Sequence, residues 1–193
     1  LEKGWIEMST SEWASRAFMV PKPGKGDYRM VIDYRHLNQQ TRSDSHPIPI
    51  IEDLIANQSQ GKMWSVFDCA DGFHQMSLDP SCRHLTAFVT PNGVYQWTVL
   101  PMGVKNGPSL FQRLMQWVLR DCKNAYIYID DIIIGSQGDT EEELVVNHTR
   151  EAGAVLEALR KAKISLKGPK SKMFVREVQF CGPILANGTR RAV

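Results

Sequence analysis

Apolar and polar residues alternate along this chain in short blocks, and most blocks have the period of a strand. Ala17-Phe18-Met19-Val20 and Tyr28-Arg29-Met30-Val31-Ile32 predict two strands, joined by the basic, glycine-rich loop Pro21-Lys22-Pro23-Gly24-Lys25-Gly26. His46-Pro47-Ile48-Pro49 suits neither helix nor strand, and Ile50 to Asn57 predicts a short helix. Met63-Trp64-Ser65-Val66-Phe67-Asp68 predicts a strand ending in an acid. Leu85 to Thr90 and Val94 to Val99 predict two more, with Pro91-Asn92-Gly93 as the turn between them. The period then changes. Over residues 107–122, Leu110, Phe111, Leu114, Met115, Val118 and Leu119 share one helical face, and Pro108 suits the first turn. Ala125 to Ile129 and Ile132 to Ile134 predict paired strands flanking Asp130-Asp131. A long helix follows to about Ala162, started by the capping box Thr140/Glu143, favoured by Glu141 and Glu142 at its positive end, and striped by Leu144, Val155, Leu156 and Leu159. Short strands near 164–166 and 177–181 complete the pattern. From residue 63 the order predicts an α+β fold, a ferredoxin-like split βαββαβ antiparallel sheet backed by helices, after a smaller β-plus-helix subdomain.

Composition narrows the class. With 193 residues, 42% hydrophobic and 23% charged, the chain suits one globular domain, or one with a subdomain, and not a disordered, collagenous or coiled-coil protein. No apolar run is long enough for a membrane span, so no membrane partner is expected. The opening Leu1-Glu2-Lys3-Gly4 has no secretory apolar stretch and no initiator Met, so a piece of a longer protein is expected. Cys69, Cys82, Cys122 and Cys181 are scattered without zinc spacing and read as reduced intracellular thiols. The five histidines form no HExxH. Net charge is +2, but residues 161–193 hold eight basic residues against Glu177 alone. That segment is +7 and the remainder −5. Such a patch can steer a polyanion, nucleic acid first among them, although a solvated basic tail accounts for it equally well.

The most informative stretch is Tyr126 to Gly135. A two-residue hairpin turn prefers Asn-Gly or Asp-Gly, because its central residues need φ > 0. Asp130-Asp131 offers neither, and it adds carboxylate repulsion. Broken local rules are expected at functional sites. Asp68 also ends a strand, and a split βαββαβ sheet can lay that strand beside the hairpin. Three neighbouring carboxylates call for cations. Oxygen-only ligands favour Mg²⁺ or Mn²⁺, and two such ions serve in-line phosphoryl transfer.

These residues resemble a known family. Tyr128-Ile129-Asp130-Asp131 is similar to the YxDD box of reverse transcriptases. Phe67-Asp68-Cys69-Ala70-Asp71-Gly72-Phe73-His74-Gln75 resembles their first aspartate motif, in the form common to gypsy-type LTR retrotransposon Pol polyproteins. Trp13-Ala14-Ser15 and Tyr28-Arg29-Met30-Val31-Ile32-Asp33-Tyr34-Arg35-His36-Leu37-Asn38 resemble the fingers. Thr86-Ala87-Phe88 and Leu100 to Arg113 resemble further palm blocks. The resemblance covers nearly the whole chain. It implies a fingers part at 1–60 and a palm at 61–193, with 80–105 partly fingers and with thumb, connection and RNase H absent.

The resemblance also implies roles. Asp68, Asp130 and Asp131 would bind two Mg²⁺ or Mn²⁺ ions, Asp131 less directly. Lys170 would be the general acid for pyrophosphate, with Lys172 the alternative register. Lys22 and Arg29 would hold the triphosphate of a dNTP, with Asp71 and Met102 in the same pocket. Phe73 would lie below the sugar, where a ring clashes with a 2′-OH. Gln112, Arg113 and Tyr128 would serve template and primer. The chain departs from the family at Arg16, usually Pro, at Met102, usually Phe or Gln, at Ser171, usually Cys, and at Pro183, often His. The loop at Lys22 also lacks the usual basic-basic-acid-Gly pattern. The implied activity is dNTP addition to a primer 3′-OH on an RNA or DNA template, within a Pol polyprotein, in the cytoplasm or a virus-like particle. A second reading, an inactive or domesticated fragment that binds nucleic acid or only folds, stays open at this stage.

Overall fold

The computed structural model describes residues 1–22, 24, 26–186 and 189–191, the last three by backbone alone. Pro23 and Lys25 of the basic loop, and the side chains of Arg190 and Arg191 in the basic segment, lie outside the described residues. In chain order the elements are β1 (Ile6–Met8), β2 (Ser15–Pro21), β3 (Tyr28–Ile32), α1 (Arg35–Gln40), α2 (Ile51–Gln58), β4 (Met63–Asp68), β5 (Phe88–Thr90), β6 (Gly93–Trp97), α3 (Gly107–Val118), β7 (Ala125–Tyr128), β8 (Asp131–Ser136), α4 (Glu141–Lys161), β9 (Lys172–Val175), β10 (Glu177–Gln179), β11 (Ile184–Ala186) and β12 (Thr189–Arg191). They form two compact units, Leu1–Ser45 with Phe73–Pro108, and His46–Gly72 with Ser109–Val193. No helix among the described residues is long and apolar enough to cross a membrane.

The first unit is built on a five-stranded sheet in the order β1-β6-β5-β2-β3. β2 and β3 pair antiparallel from Ala17↔Ile32 to Pro21↔Tyr28, as the alternation predicts. Ile32, Tyr34 and Phe88 form its buried centre. The strand expected from Leu85 starts only at Phe88, because residues Arg83–Thr86 form a 3-10 turn. Thr86 explains the difference. Its hydroxyl donates to the Arg83 carbonyl at 2.7 Å and accepts from the Trp97 N–H at 3.0 Å, taking up bonds a ladder would have used. Helix α1 was not foreseen. It follows Asp33, whose carboxylate accepts from the Arg35 backbone N–H at 3.1 Å and from its guanidinium at 2.8 and 2.6 Å.

The second unit carries a four-stranded antiparallel sheet in the order β7-β8-β4-β9. Chain order β4-α3-β7-β8-α4-β9 on that strand order is the split βαββαβ arrangement expected of the sequence. Ile132, Ile133 and Ile134 are all fully buried, so both sheet faces are covered and the apolar run is unbroken for that reason. Trp64 and Ile133 pack on one face with Leu54 and Ile55 of α2 and with Val178 and Leu185. Gly135 is needed there, because a Cβ at that position would lie 2.9 Å from the Trp64 ring nitrogen. A three-stranded sheet, β10-β11-β12, follows.

Helix α4 begins as predicted, with the Thr140 hydroxyl accepting from the Glu143 N–H at 3.1 Å. The reciprocal arm differs by one residue, since the Glu143 carboxylate reaches the Asp139 N–H at 3.0 Å. The strand expected near 164–166 is instead a single bridge, Cys69↔Leu166. The strand comes later, as β9, because Lys163 turns the chain with a φ of 58° and residues Gly168–Lys170 form a 3-10 turn. The strand expected at 177–181 is shorter, ending at Gln179 before Cys181, whose φ is 48°.

Candidate active site

Strand register brings the acids together. β4 and β8 pair so that Asp68 stands opposite Asp131, at the same end of the sheet. Asp130 occupies the turn before β8, and its carbonyl accepts from the Cys69 N–H at 3.0 Å. Asp68 and Asp131 are half-buried and Asp130 is exposed, so the cluster opens to solvent on one side. All of these residues belong to the second unit.

The turn itself differs from expectation. Tyr128 pairs with Asp131, so the two central residues are Ile129 and Asp130, one position earlier than the Asp-Asp pair. Ile129 is left-handed, with a φ of 57°. For a β-branched residue this is an outlier costing on the order of 1–3 kcal/mol. Gln112 holds it there. Its side-chain oxygen accepts from the Ile129 N–H at 2.7 Å, and its amide nitrogen donates to the Ile127 carbonyl at 3.1 Å. Gln112 is fully buried, so it grips the turn from beneath and has no surface for direct template contact.

Charge at the site is uneven. Burial, then Asp130, then Asp68 push the Asp131 carboxyl above the usual range, and Lys170 partly opposes them. The same acids act on two thiols. Cys69 is pushed up to about 12 and Cys181 to about 11, burial leading in both cases. The Lys170 ammonium donates to Asp68 Oδ2 at 3.0 Å, and that hydrogen bond raises its own titration. The Lys167 N–H donates to the Asp68 carbonyl at 2.8 Å, tying the Lys170 turn to the end of β4.

The three acids offer oxygen donors alone, which suits a hard divalent cation. Among the described residues, no three His, Cys, Asp or Glu side chains already form a closed metal-holding group. A cation of the chain, the Lys170 ammonium, stands against one of the carboxylates, Asp68, at 3.0 Å. The donor chemistry of the three acids, oxygen alone, fits a hard divalent cation, and Asp130 and Asp68 add to burial in raising Asp131.

The other sequence-predicted residues divide by unit. Arg113 is exposed on α3, and Tyr128 is half-buried against the Trp64 cluster. Asp71 is exposed with a φ of 53°. In the first unit, the Lys22 ammonium pairs with Asp27 at 2.6 Å, Arg29 is exposed, Phe73 is half-buried and Met102 is 62% exposed. Lys172 starts β9, and Val66 is its partner.

Sequence reading missed one polar group at the other end of the β4–β8 pair. His148 of α4 is fully buried, with Nε2 2.7 Å from the Ser65 hydroxyl on β4 and Nδ1 2.8 Å from the Ser136 hydroxyl on β8. The Ser136 hydroxyl also donates to Glu151. Burial, the leading cause, holds His148 below the usual histidine range. The spacing 144, 148, 152, 155, 159 carried the signal, since His148 falls on the buried stripe.

Comparison with known proteins agrees with this geometry. Residues 20–185 match the family described as reverse transcriptase (RNA-dependent DNA polymerase). The enzymatic polyprotein of Figwort mosaic virus is 37% identical over 98% of this chain, which spans 28% of that polyprotein. The Retrovirus-related Pol polyproteins from transposons opus and gypsy of Drosophila melanogaster are 38% and 33% identical over 96% and 98% of the chain, which spans 18% and 19% of their lengths. The chain thus corresponds to less than a third of these relatives. Among solved structures, the foamy viral protease-reverse transcriptase dRH in complex with ds DNA superposes with a TM-score of 0.90 and 26% identity. That match covers all of this chain and 33% of the other. The foamy viral protease-reverse transcriptase in complex with RNA/DNA hybrid gives a TM-score of 0.88 at the same identity, over 25% of its length. A match over residues 20–185, on a split βαββαβ sheet with its acids at one end, places the chain in the reverse transcriptase (RNA-dependent DNA polymerase) family.

Proposed function

We propose that this chain is the catalytic core of an RNA-directed DNA polymerase, which adds dNTPs to a primer 3′-OH with release of pyrophosphate. The single observation that carries the reading is the register Asp68↔Asp131, which sets three acids from distant parts of the sequence at one sheet end. Two Mg²⁺ or Mn²⁺ ions, held by Asp68, Asp130 and Asp131, would supply charge neutralisation and an activated oxygen nucleophile. The chain's own residues position and stabilise. The strained Ile129 turn, gripped by Gln112, fixes where the Asp130 carboxylate points. Lys170 keeps its Nζ protonated beside Asp68, so it can give a proton to the departing pyrophosphate oxygen.

Residues 1–60 are read as fingers and 61–193 as palm, with 80–105 partly fingers. Lys22 and Arg29, as a point charge and a planar fork, suit a triphosphate. Phe73 would exclude a 2′-OH, and Asp71 and Met102 are each read as nucleotide-binding residues. Arg113 and Tyr128 would meet template or primer, while Gln112 would act on them only through the turn. The polyprotein relatives support a larger Pol context, and the solved complexes with DNA and with RNA/DNA hybrid support a primed duplex as partner.

Primer extension on an oligonucleotide-primed RNA template with Mg²⁺ or Mn²⁺ tests the reading. Asp68→Ala and Asp130→Asn should each lower synthesis by at least 10²–10³-fold, roughly the loss of a main electrostatic stabiliser. Synthesis that survives both substitutions excludes the assigned roles.

A further inference from the structure

Three aromatic rings of the first unit stack in series. The Trp5 and His74 centroids are 4.6 Å apart with the planes 16° from parallel. Those of His74 and Trp97 are 5.1 Å apart at 13°. The Lys3 ammonium lies over the Trp5 ring, 4.4 Å from its centroid. The two indoles are fixed by the sheet. Ile6, the residue after Trp5, pairs with Trp97, and the Thr98 N–H donates to the Trp5 carbonyl at 2.9 Å. The imidazole between them comes from a short turn that belongs to neither strand.

That turn, Gly72–Gln75, is a short 3-10 element. The Met76 N–H closes it on the Phe73 carbonyl at 3.0 Å. The chain beyond is laid on the sheet by Leu100 N–H to the Met76 carbonyl and Leu78 N–H to the Thr98 carbonyl, both 2.8 Å. So the chain is laid on the sheet after Met76, and just before it the His74 side chain is clamped from both faces. Phe73 is its immediate neighbour. Its ring is half-buried and near Gly107, where an added Cβ would stand 3.9 Å from two Phe73 ring carbons.

We propose that His74 is a positioning residue for nucleotide selection. Held between Trp5 and Trp97, it fixes the backbone that presents Phe73 and so sharpens the rejection of ribonucleotides. The inference rests on the reading of Phe73 as the residue beneath the sugar. Offset stacking of near-parallel rings is favourable and directional, so it restrains rotation as well as distance. A displacement of the presented ring by a fraction of an ångström is enough to change a steric exclusion.

Two readouts on the full chain test this. Amide hydrogen exchange at Met76 reports closure of the turn without any turnover, and the kcat/KM ratio for a dNTP over the matching rNTP reports selection. His74→Ala should speed Met76 exchange by about tenfold or more while β4 and β8 amides keep their rates. It should also lower the dNTP/rNTP ratio by about tenfold. His74→Tyr, which restores a ring to the stack, should recover both, and it decides the matter if the alanine variant folds poorly. Phe73→Ala should lower the ratio further and leave Met76 exchange unchanged. A ratio that falls in Phe73→Ala but holds in His74→Ala overturns the positioning role, as does unchanged Met76 exchange in His74→Ala. A ratio intact in both variants overturns instead the Phe73 reading on which the role rests.

Discussion

Two β-hairpins whose turns lie wholly among the described residues, β5–β6 and β7–β8, have two-residue turns held in opposite ways. In the β5–β6 hairpin, Thr90 pairs with Gly93 around Pro91-Asn92. Its demanding position, a φ of 132°, belongs to Gly93, and its own Thr90 hydroxyl accepts from the Asn92 N–H at 3.2 Å. In the β7–β8 hairpin the demanding position falls on Ile129, and the stabilising amide comes from Gln112, on another element. The first turn is locally consistent and carries no proposed chemistry. The second is locally wrong and carries an acid at its tip. Backbone strain held by a distant side chain fixes a carboxylate more firmly than a relaxed turn would.

Substitutions can break that contrast. The largest effect is expected from Gln112→Ala, which strands the buried Ile127 carbonyl and the Ile129 N–H. Each unpaired group costs roughly 1–3 kcal/mol, and primer extension should fall with stability; denaturant unfolding beside activity checks both. Gly93→Ala comes next. A side chain at that φ costs about 1–3 kcal/mol, yet activity per folded molecule should stay unchanged. Ile129→Gly should do the reverse. Relief of the left-handed backbone offsets lost packing, so stability moves by less than about 1 kcal/mol while synthesis drops because the turn loosens.

The smallest effect at neutral pH concerns the far end of β8. His148, buried and held low, binds a proton less readily in the folded chain than in the unfolded chain, which protonates it near the usual value. Its contribution is therefore full above about pH 6.5 and is lost as pH falls through the lower folded value. Thermal unfolding between pH 7 and 5 should show this loss, and His148→Gln should flatten the slope.

Sequence alone located the acids well, because Met63–Asp68 and the run Ala125 to Ile134 are apolar segments punctuated by carboxylates. The same logic read β3 and β4 to the residue. It missed the true turn residues, because a left-handed Ile makes sense only once Gln112 lies beneath it. It missed β9 for a similar reason. Lys172-Met173-Phe174-Val175 looks like part of a basic loop, and it pairs with β4 through a register shift, with Phe174 at a φ of 53°. The Trp5–His74–Trp97 stack joins residues far apart in sequence and has no periodic signature at all.

The claim most worth testing directly is that Asp68, Asp130 and Asp131 share one ion-binding field. Titration with Mn²⁺, read by paramagnetic broadening of assigned backbone amides, reports proximity without requiring turnover. The account predicts that the amides of Cys69, Asp130 and Asp131 broaden together at one Mn²⁺ concentration, and that Asp68→Ala with Asp130→Asn abolishes the effect. Broadening confined to one side of the β4–β8 pair, or unaffected by the double substitution, would contradict it.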